Sequence, residues 1–399
     1  KATVNVDDAA TLVYTYYHSS YYSSLRVFLD GELVQTVKMN QSNQSYYVRN
    51  NSYNYTNKDR RYYVEMTPGK HDITWEVVCN DSRTGGYSHT NYLEEIGVVN
   101  TPTLYPATTT VEGQLGTEML KLIDPISKTR KVVIKGVIGA DDWTTIGLMK
   151  NAFSIDMSEA IAEEIPASQF TKTNYPFLHD VKLPQGIKTI GEKAFYESDI
   201  ENEITLPNTV ETIGNSAFYH SKVKAVHMSG NSVKSVGSYA FYQCYYLEGM
   251  NWSSAAEQIP SYCFFDSWNL RTFEIPEGVT SIANRAFAGA LSFNPRFPST
   301  LTSIGTYAFG YTATDRLVIN ENMTVADGAF AYCSSLVYAE WPTSFSSATS
   351  SNSPVVNNCT KLADVYLKAP TKVTYSSQDF FTGITLSNIT LHVPSFLVT

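Results

Sequence analysis

Histidine, cysteine and paired aspartate are the side chains in this 399-residue chain best suited to catalysis or metal binding. The seven histidines stand at 18, 71, 89, 179, 220, 227 and 392, and none has a ligand-like spacing to another. His227 lies between Val226 and Met228, which turns it outward from a strand as a solvated side chain. Asp141-Asp142 reads as a helix cap before it reads as a metal site. There is no H-E-x-x-H, G-x-S-x-G, P-loop or G-x-G-x-x-G run, and no C-x-x-C pair among the five cysteines. The sequence therefore predicts no catalytic residue, no cofactor and no metal, and a protein that is not an enzyme.

Recognition chemistry is better represented. Twenty-eight tyrosines raise the aromatic content to 13%, while charged residues make up only 17%. Tyr53 and Tyr55, in the polar loop Asn50–Lys58, could stack on the C–H faces of sugars and offer hydroxyls beside the ring. Alternate tyrosines elsewhere build sheet faces, as aromatics in strands do. A net charge of −9 gives no basic footprint for nucleic acid. No apolar run approaches the length of a membrane span.

The residues that position everything else form a repeat. Ala-Phe occurs at 194–195, 217–218, 240–241, 286–287, 308–309 and 329–330, with Cys263-Phe264 filling the gap. The phenylalanines are 23, 23, 23, 23, 22 and 21 residues apart. A period in this range marks stacked coils, each burying its apolar edge only against its neighbours. Within one period, Ile204-Thr-Leu206 alternates as a short strand and Pro207 ends it. Val210 and Ile213 turn the coil, and Ala217-Phe218 is expected on a short helical turn. Gly191, Gly214, Gly237 and Gly305 are expected to supply a left-handed or tightly turned backbone. Cys244 and Cys333 fall three residues after a repeat Phe and, with Cys263 and Cys359, read as buried small hydrophobes. Four coils separate Cys244 from Cys333, beyond disulfide reach.

If the apolar strand positions face inward, those between them form outward ladders. One ladder is Lys182, Thr205, His227, Asn251, Glu274, Arg296, Val318, Glu340, Tyr366 and Thr390. Its neighbour includes Thr272, Asn294, Arg316, Tyr338, Asp364 and Asn388. Ten rungs at about 4.8 Å span roughly 40–45 Å, which suits a protein or polymer better than a small molecule. Arg and Tyr dominate interface hot spots, so Arg296, Arg316, Tyr338, Glu340 and Tyr366 are the candidate contact patch.

Upstream the texture changes. Strand-like runs at Thr11–Tyr17, Leu25–Leu29, Glu32–Met39, Tyr46–Arg49, Arg61–Met66, Asp72–Cys79 and Leu93–Val99 imply an antiparallel sandwich, with Asp30-Gly31 as a hairpin turn. The chain is expected to divide into a β-sandwich at 1–105, a linker and entry cap at 106–178 that belongs to the solenoid, and repeats at 179–399. Within the cap a helix is expected at Gln114–Ile123, a strand at Lys131–Ile138, a helix near Asp141–Lys150 and a strand at Ser154–Met157. Phe345 to Asn358, rich in Ser and Asn, replaces one Ala-Phe turn.

The repeat frame at Val233–Leu247 and Ala329–Leu336 resembles the BspA-like, or treponemal-type, leucine-rich repeats of bacterial surface proteins. Gly69–Trp75 with Tyr92–Val98 resembles the closing strands of galactose-binding-like jelly rolls. Together these imply a mixed fold, an all-β antiparallel sandwich followed by a right-handed leucine-rich-repeat solenoid. The first resemblance implies an exported protein of Bacteroidetes whose export signal has been removed. It would be a binding and adhesion protein, a monomer held peripherally or by lipid at the cell surface, whose repeat face contacts an extracellular protein of a host or another cell. The rival expectation is a polysaccharide ligand held by the sandwich, with the repeats as spacer.

Overall fold

The computed structural model describes residues 2–6, 10–18, 23–38, 61–66, 69–79, 91–100, 104–109, 131–228, 230, 232–321, 323–342, 355–368 and 383–393. Two compact units are present, Lys1–Tyr105 with Thr129–Lys131, and Pro106–Lys128 with Val132–Thr399. The expected strand Tyr46–Arg49, the expected helix Gln114–Ile123, and Tyr53 and Tyr55 lie outside the described residues.

Among the described residues the first unit holds two antiparallel sheets. One orders Ala2–Val6, Gly69–Cys79, Ser23–Leu29 and Glu32–Lys38; the other orders Arg61–Met66, Ala10–His18 and Asn91–Asn100. Asp30 and Gly31 both take positive φ, 52° and 91°, the geometry that lets a two-residue hairpin follow the strand twist. Leu12, Leu25, Val27, Met66 and Ile73 are buried.

In the second unit the strand that ends at Val137 is followed by the helix Ala140–Ile146 and the strand Ser154–Ile161. The residue that caps the helix is Gly139, and Asp142 sits at the third helical position, its carboxylate accepting the Gly139 N–H at 2.8 Å. The acidic pair thus serves the helix start from inside the first turn. Ser154–Asp156 then pairs in parallel with Asp180–Lys182 and starts the stack.

Most coils contribute two strands to separate parallel rows. Ile204–Leu206, Ala225–Met228, Gly249–Asn251 and Thr272–Glu274 form one sheet. Two-residue strands such as Thr212–Ile213 and Ser235–Val236 form the other row. The repeat phenylalanines are fully buried and stack from Phe195 to Phe330, with ring centroids 4.8–5.4 Å apart. Cys244, Cys263, Cys333 and Cys359 are buried and free. Cys244, Cys333 and Cys359 point their thiols at the Phe carbonyl of the preceding coil, at 2.9, 3.2 and 3.1 Å.

The Ala-Phe segment is an arch bonded between coils, not the helical turn expected. Lys193, Phe195 and Glu197 donate their N–H groups to Asn215, Ala217 and Tyr219 of the next coil at 3.0, 2.7 and 2.7 Å. Positive φ two residues before and two after each Phe accompanies this pattern, as at Lys193 and Glu197, Ser216 and His220, and Tyr239 and Gln243. The left-handed duty therefore falls mostly on residues bearing side chains, with Gly289 and Gly328 the exceptions. Gly191, Gly214, Gly237 and Gly305, assigned that role from sequence, do not have positive φ. They are glycine because a Cβ would lie 2.4–2.6 Å from atoms of the coil beneath.

Ser216, at φ 54°, supplies a test. A left-handed conformation costs a residue with a Cβ about 1–2 kcal/mol, more than the roughly 0.5–1 kcal/mol of extra chain entropy that glycine loses. Ser216→Gly is expected to raise stability by about 0.5–1 kcal/mol in denaturant titration. A loss of stability would contradict the account of the arch.

Candidate interaction surface

Register decides which outward residues meet. Arg316, Tyr338, Asp364 and Thr390 are successive partners in one row, and Val318, Glu340, Tyr366 and His392 in the next. The final rung corrects the expected ladders by two residues. Leu386–Asn388 is spent on a 3-10 turn, so the strand begins at Thr390 and His392, not Thr390, stands against Tyr366.

A connected polar network covers these rungs. The Arg316 guanidinium lies 3.6 Å from the centroid of the Tyr338 ring. The Tyr338 hydroxyl donates to Glu340 Oε2 at 2.6 Å, and Lys368 and Arg316 both flank the same carboxylate. The Tyr366 ring is 5.0 Å from that of Tyr338 and stacks on His392 at 3.9 Å, while His392 Nε2 is 3.0 Å from Asp364. Lys368 hydrogen-bonded to Glu340, together with the Tyr338 hydroxyl, holds that carboxyl below its ordinary range. Desolvation and the neighbouring carboxylate push the Tyr338 phenol up.

The Glu340 side chain is 15% exposed and that of Arg316 is 50% exposed. The acid is thus the base of the cluster and the guanidinium its accessible rim. Exposed ion pairs add at most about 1 kcal/mol to stability, so what this network chiefly does is hold Arg316 and two tyrosines in fixed orientation. Arg296 stands apart, paired with Asp315 at 3.6 Å and bonded to Asn294 and the Pro295 carbonyl. It lies where neither sheet has a strand, between Thr272–Glu274 and Arg316–Val318.

A second row of aromatics had no place in the ladders read from sequence. Tyr196, Tyr219, Tyr242 and Phe265, each one residue after a repeat Phe, stack at 4.8, 4.7 and 5.1 Å. Their constant offset from the repeat Phe was the available signal. These rings spend their faces on one another, which leaves little face for a sugar. Among the described residues no group of His, Cys, Asp and Glu side chains is arranged to hold a metal ion. No helix there is long and apolar enough to cross a membrane.

The two strand rows, the stacked phenylalanines and the arches recur with one period, and a family model for that repeat matches. The BspA type leucine rich repeat region is found in six copies over residues 163–294 and 293–396, more than half of the chain. The chain belongs to the BspA-type leucine-rich repeat family.

Solved leucine-rich repeat structures resemble this BspA-type chain at low identity. A leucine-rich repeat protein from Bacteroides ovatus is 16% identical, with a TM-score of 0.47, over 79% of this chain and 76% of its own. A leucine rich cell surface protein from Faecalibacterium prausnitzii is 17% identical, with a TM-score of 0.36, over 69% and 86%. The pneumococcal vaccine antigen PcpA is 17% identical, with a TM-score of 0.31, over 67% and 74%. No curated protein matches the chain.

Proposed function

We propose that this is a non-enzymatic binding protein of the bacterial cell surface that holds an extracellular protein on the outer strand face of its late coils. The contact residues are Arg316, Tyr338, Glu340 and Tyr366, with Arg296 at the margin. Membership of a family whose repeats occur in bacterial surface proteins supports the setting. In this reading residues 1–105 pack as a jelly-roll-like sandwich, 106–178 form the entry cap and 179–399 carry the contact face. The chain acts as a monomer anchored peripherally or by lipid.

One observation carries the choice of surface: Arg316 lies on Tyr338 above a carboxylate that fixes both. A guanidinium already stacked and oriented loses little entropy when a partner carboxylate or carbonyl reaches it. Arginine and tyrosine are also the side chains whose truncation most often costs 2 kcal/mol or more at interfaces.

The test is a binding screen of the full chain against extracellular-matrix and serum proteins, with a glycan array beside it. Arg316→Ala and Tyr338→Ala are each expected to weaken a protein ligand about 30-fold, with the thermal transition unchanged. Protein binding unaffected by both variants, or binding confined to glycans, would refute the reading.

A further inference from the structure

Among the described residues one ion pair has both side chains buried inside the repeats. Asp199 and Lys222 each lie four residues after a repeat Phe, at Phe195 and Phe218, and so occupy one slot of adjacent coils. The Lys222 N–H donates to the Ser198 carbonyl at 3.0 Å, which locks the two backbones in register. Lys222 Nζ then stands 2.8 Å from Asp199 Oδ1, with the side chains only 7% and 2% exposed. Apart from this ion pair and Lys172, the described residues offer neither the Asp199 oxygens nor Lys222 Nζ a hydrogen-bond partner.

A pair of this kind needs a reason. Taking two charges out of water costs several kcal/mol per ion, which their attraction repays only with good geometry and additional hydrogen bonds. The next two coils place Tyr245 and Trp268 in the same slot, so the stack has no need of charge there. Burial also lowers the Lys222 pKa from the ordinary lysine value, against the pull of Asp199.

We propose that Lys222 and Asp199 condense to an intramolecular amide that joins two adjacent coils. Transfer of one proton from ammonium to carboxylate leaves an amine and a carboxylic acid, the uncharged pair a dry interior favours. The Nζ lone pair adds to Asp199 Cγ, forming the C–N bond. A proton passes from Nζ to the departing hydroxyl, the C–O bond breaks, and one water leaves. Nothing is oxidised or reduced, and no co-reactant is consumed. Lys172 Nζ, 3.9 Å from the same Oδ1, places a positive charge beside the oxyanion of the tetrahedral intermediate. Exclusion of water from the slot protects the product from hydrolysis.

The reaction is read by mass spectrometry of the folded, full-length chain. The wild-type chain is expected one water lighter than its sequence mass. Trypsin should not cut after Lys222, so that Ala194–Lys224 appears as one peptide. That peptide should carry the whole deficit and yield no backbone fragments between Asp199 and Lys222. Lys222→Arg keeps the cation but lacks the amine, and is expected at its full sequence mass. A wild-type chain at full mass would overturn the proposal, whatever the variant does. A water deficit that persists in Lys222→Arg, or that maps outside Ala194–Lys224, would overturn it equally.

Discussion

Phe241→Ala is expected to cost about 3–5 kcal/mol of unfolding free energy. The ring is fully buried, with Phe218 at 5.2 Å on one side and Phe264 at 5.4 Å on the other. Truncation removes two stacked contacts and leaves a void whose walls cannot collapse. The coils are held one strand spacing apart by Phe218 N–H to Ala240 and Phe241 N–H to Cys263, at 2.8 and 2.9 Å. Coils of a solenoid contact only their neighbours, so the weakened interfaces should also broaden or split the unfolding transition. Phe241→Leu keeps most of the volume and is expected to lose less than half as much. Denaturant titration followed by circular dichroism measures both variants. A loss below about 1 kcal/mol for the alanine variant would contradict the stacked core.

The parts of this fold legible in sequence are those governed by one coil's own pattern. The Phe period, the alternation in Ile204–Leu206 and the Asp30-Gly31 hairpin each express a local rule, and the structure bears them out. What stayed hidden depends on the neighbouring coil. Val355 and Val356 are buried in the place of an Ala-Phe pair, accepting from Phe330 through the Val355 carbonyl at 2.8 Å. Within the segment read from sequence as replacing that turn, Phe345 to Asn358, the stack thus holds Val355 and Val356. The spacing of Cys359 three residues beyond Val356, like Cys333 beyond Phe330, was the clue. The contact patch divides in the same way. Composition singles out arginine and tyrosine, but only the inter-coil register separates Arg316, which reaches Tyr338, from Arg296, which reaches Asp315.

Gly237→Ala is expected to cost about 3 kcal/mol, and the pattern of its neighbours says why. An added Cβ would lie 2.4 Å from the Asn215 nitrogen and 2.6 Å from its Cα and Oδ1. Backbone atoms cannot swing aside, so the coils would have to separate. Asn215 is held there by its own task, since its Oδ1 accepts the Ser238 N–H at 3.0 Å. Asn284 does the same for Thr306 at 2.9 Å, and Gly305 sits over it as Gly237 sits over Asn215. The equivalent position holds Pro260, Ala283 and Ala326 in other coils, so the turn itself tolerates a side chain. At Gly237 and Gly305 the demand for glycine comes from the asparagine beneath, as at Gly191 and Gly214 it comes from the backbone of Ala167 and Glu192. Two further variants separate this account from a requirement for positive φ. Asparagine tolerates left-handed backbone, so Gly237→Asn would be nearly silent if φ were the reason; here it should cost at least as much as alanine. Ala283→Gly should cost only about 0.5–1 kcal/mol, the chain entropy of the added glycine. Thermal and denaturant unfolding of the three variants decides between the two causes, because only the steric one makes asparagine as harmful as alanine.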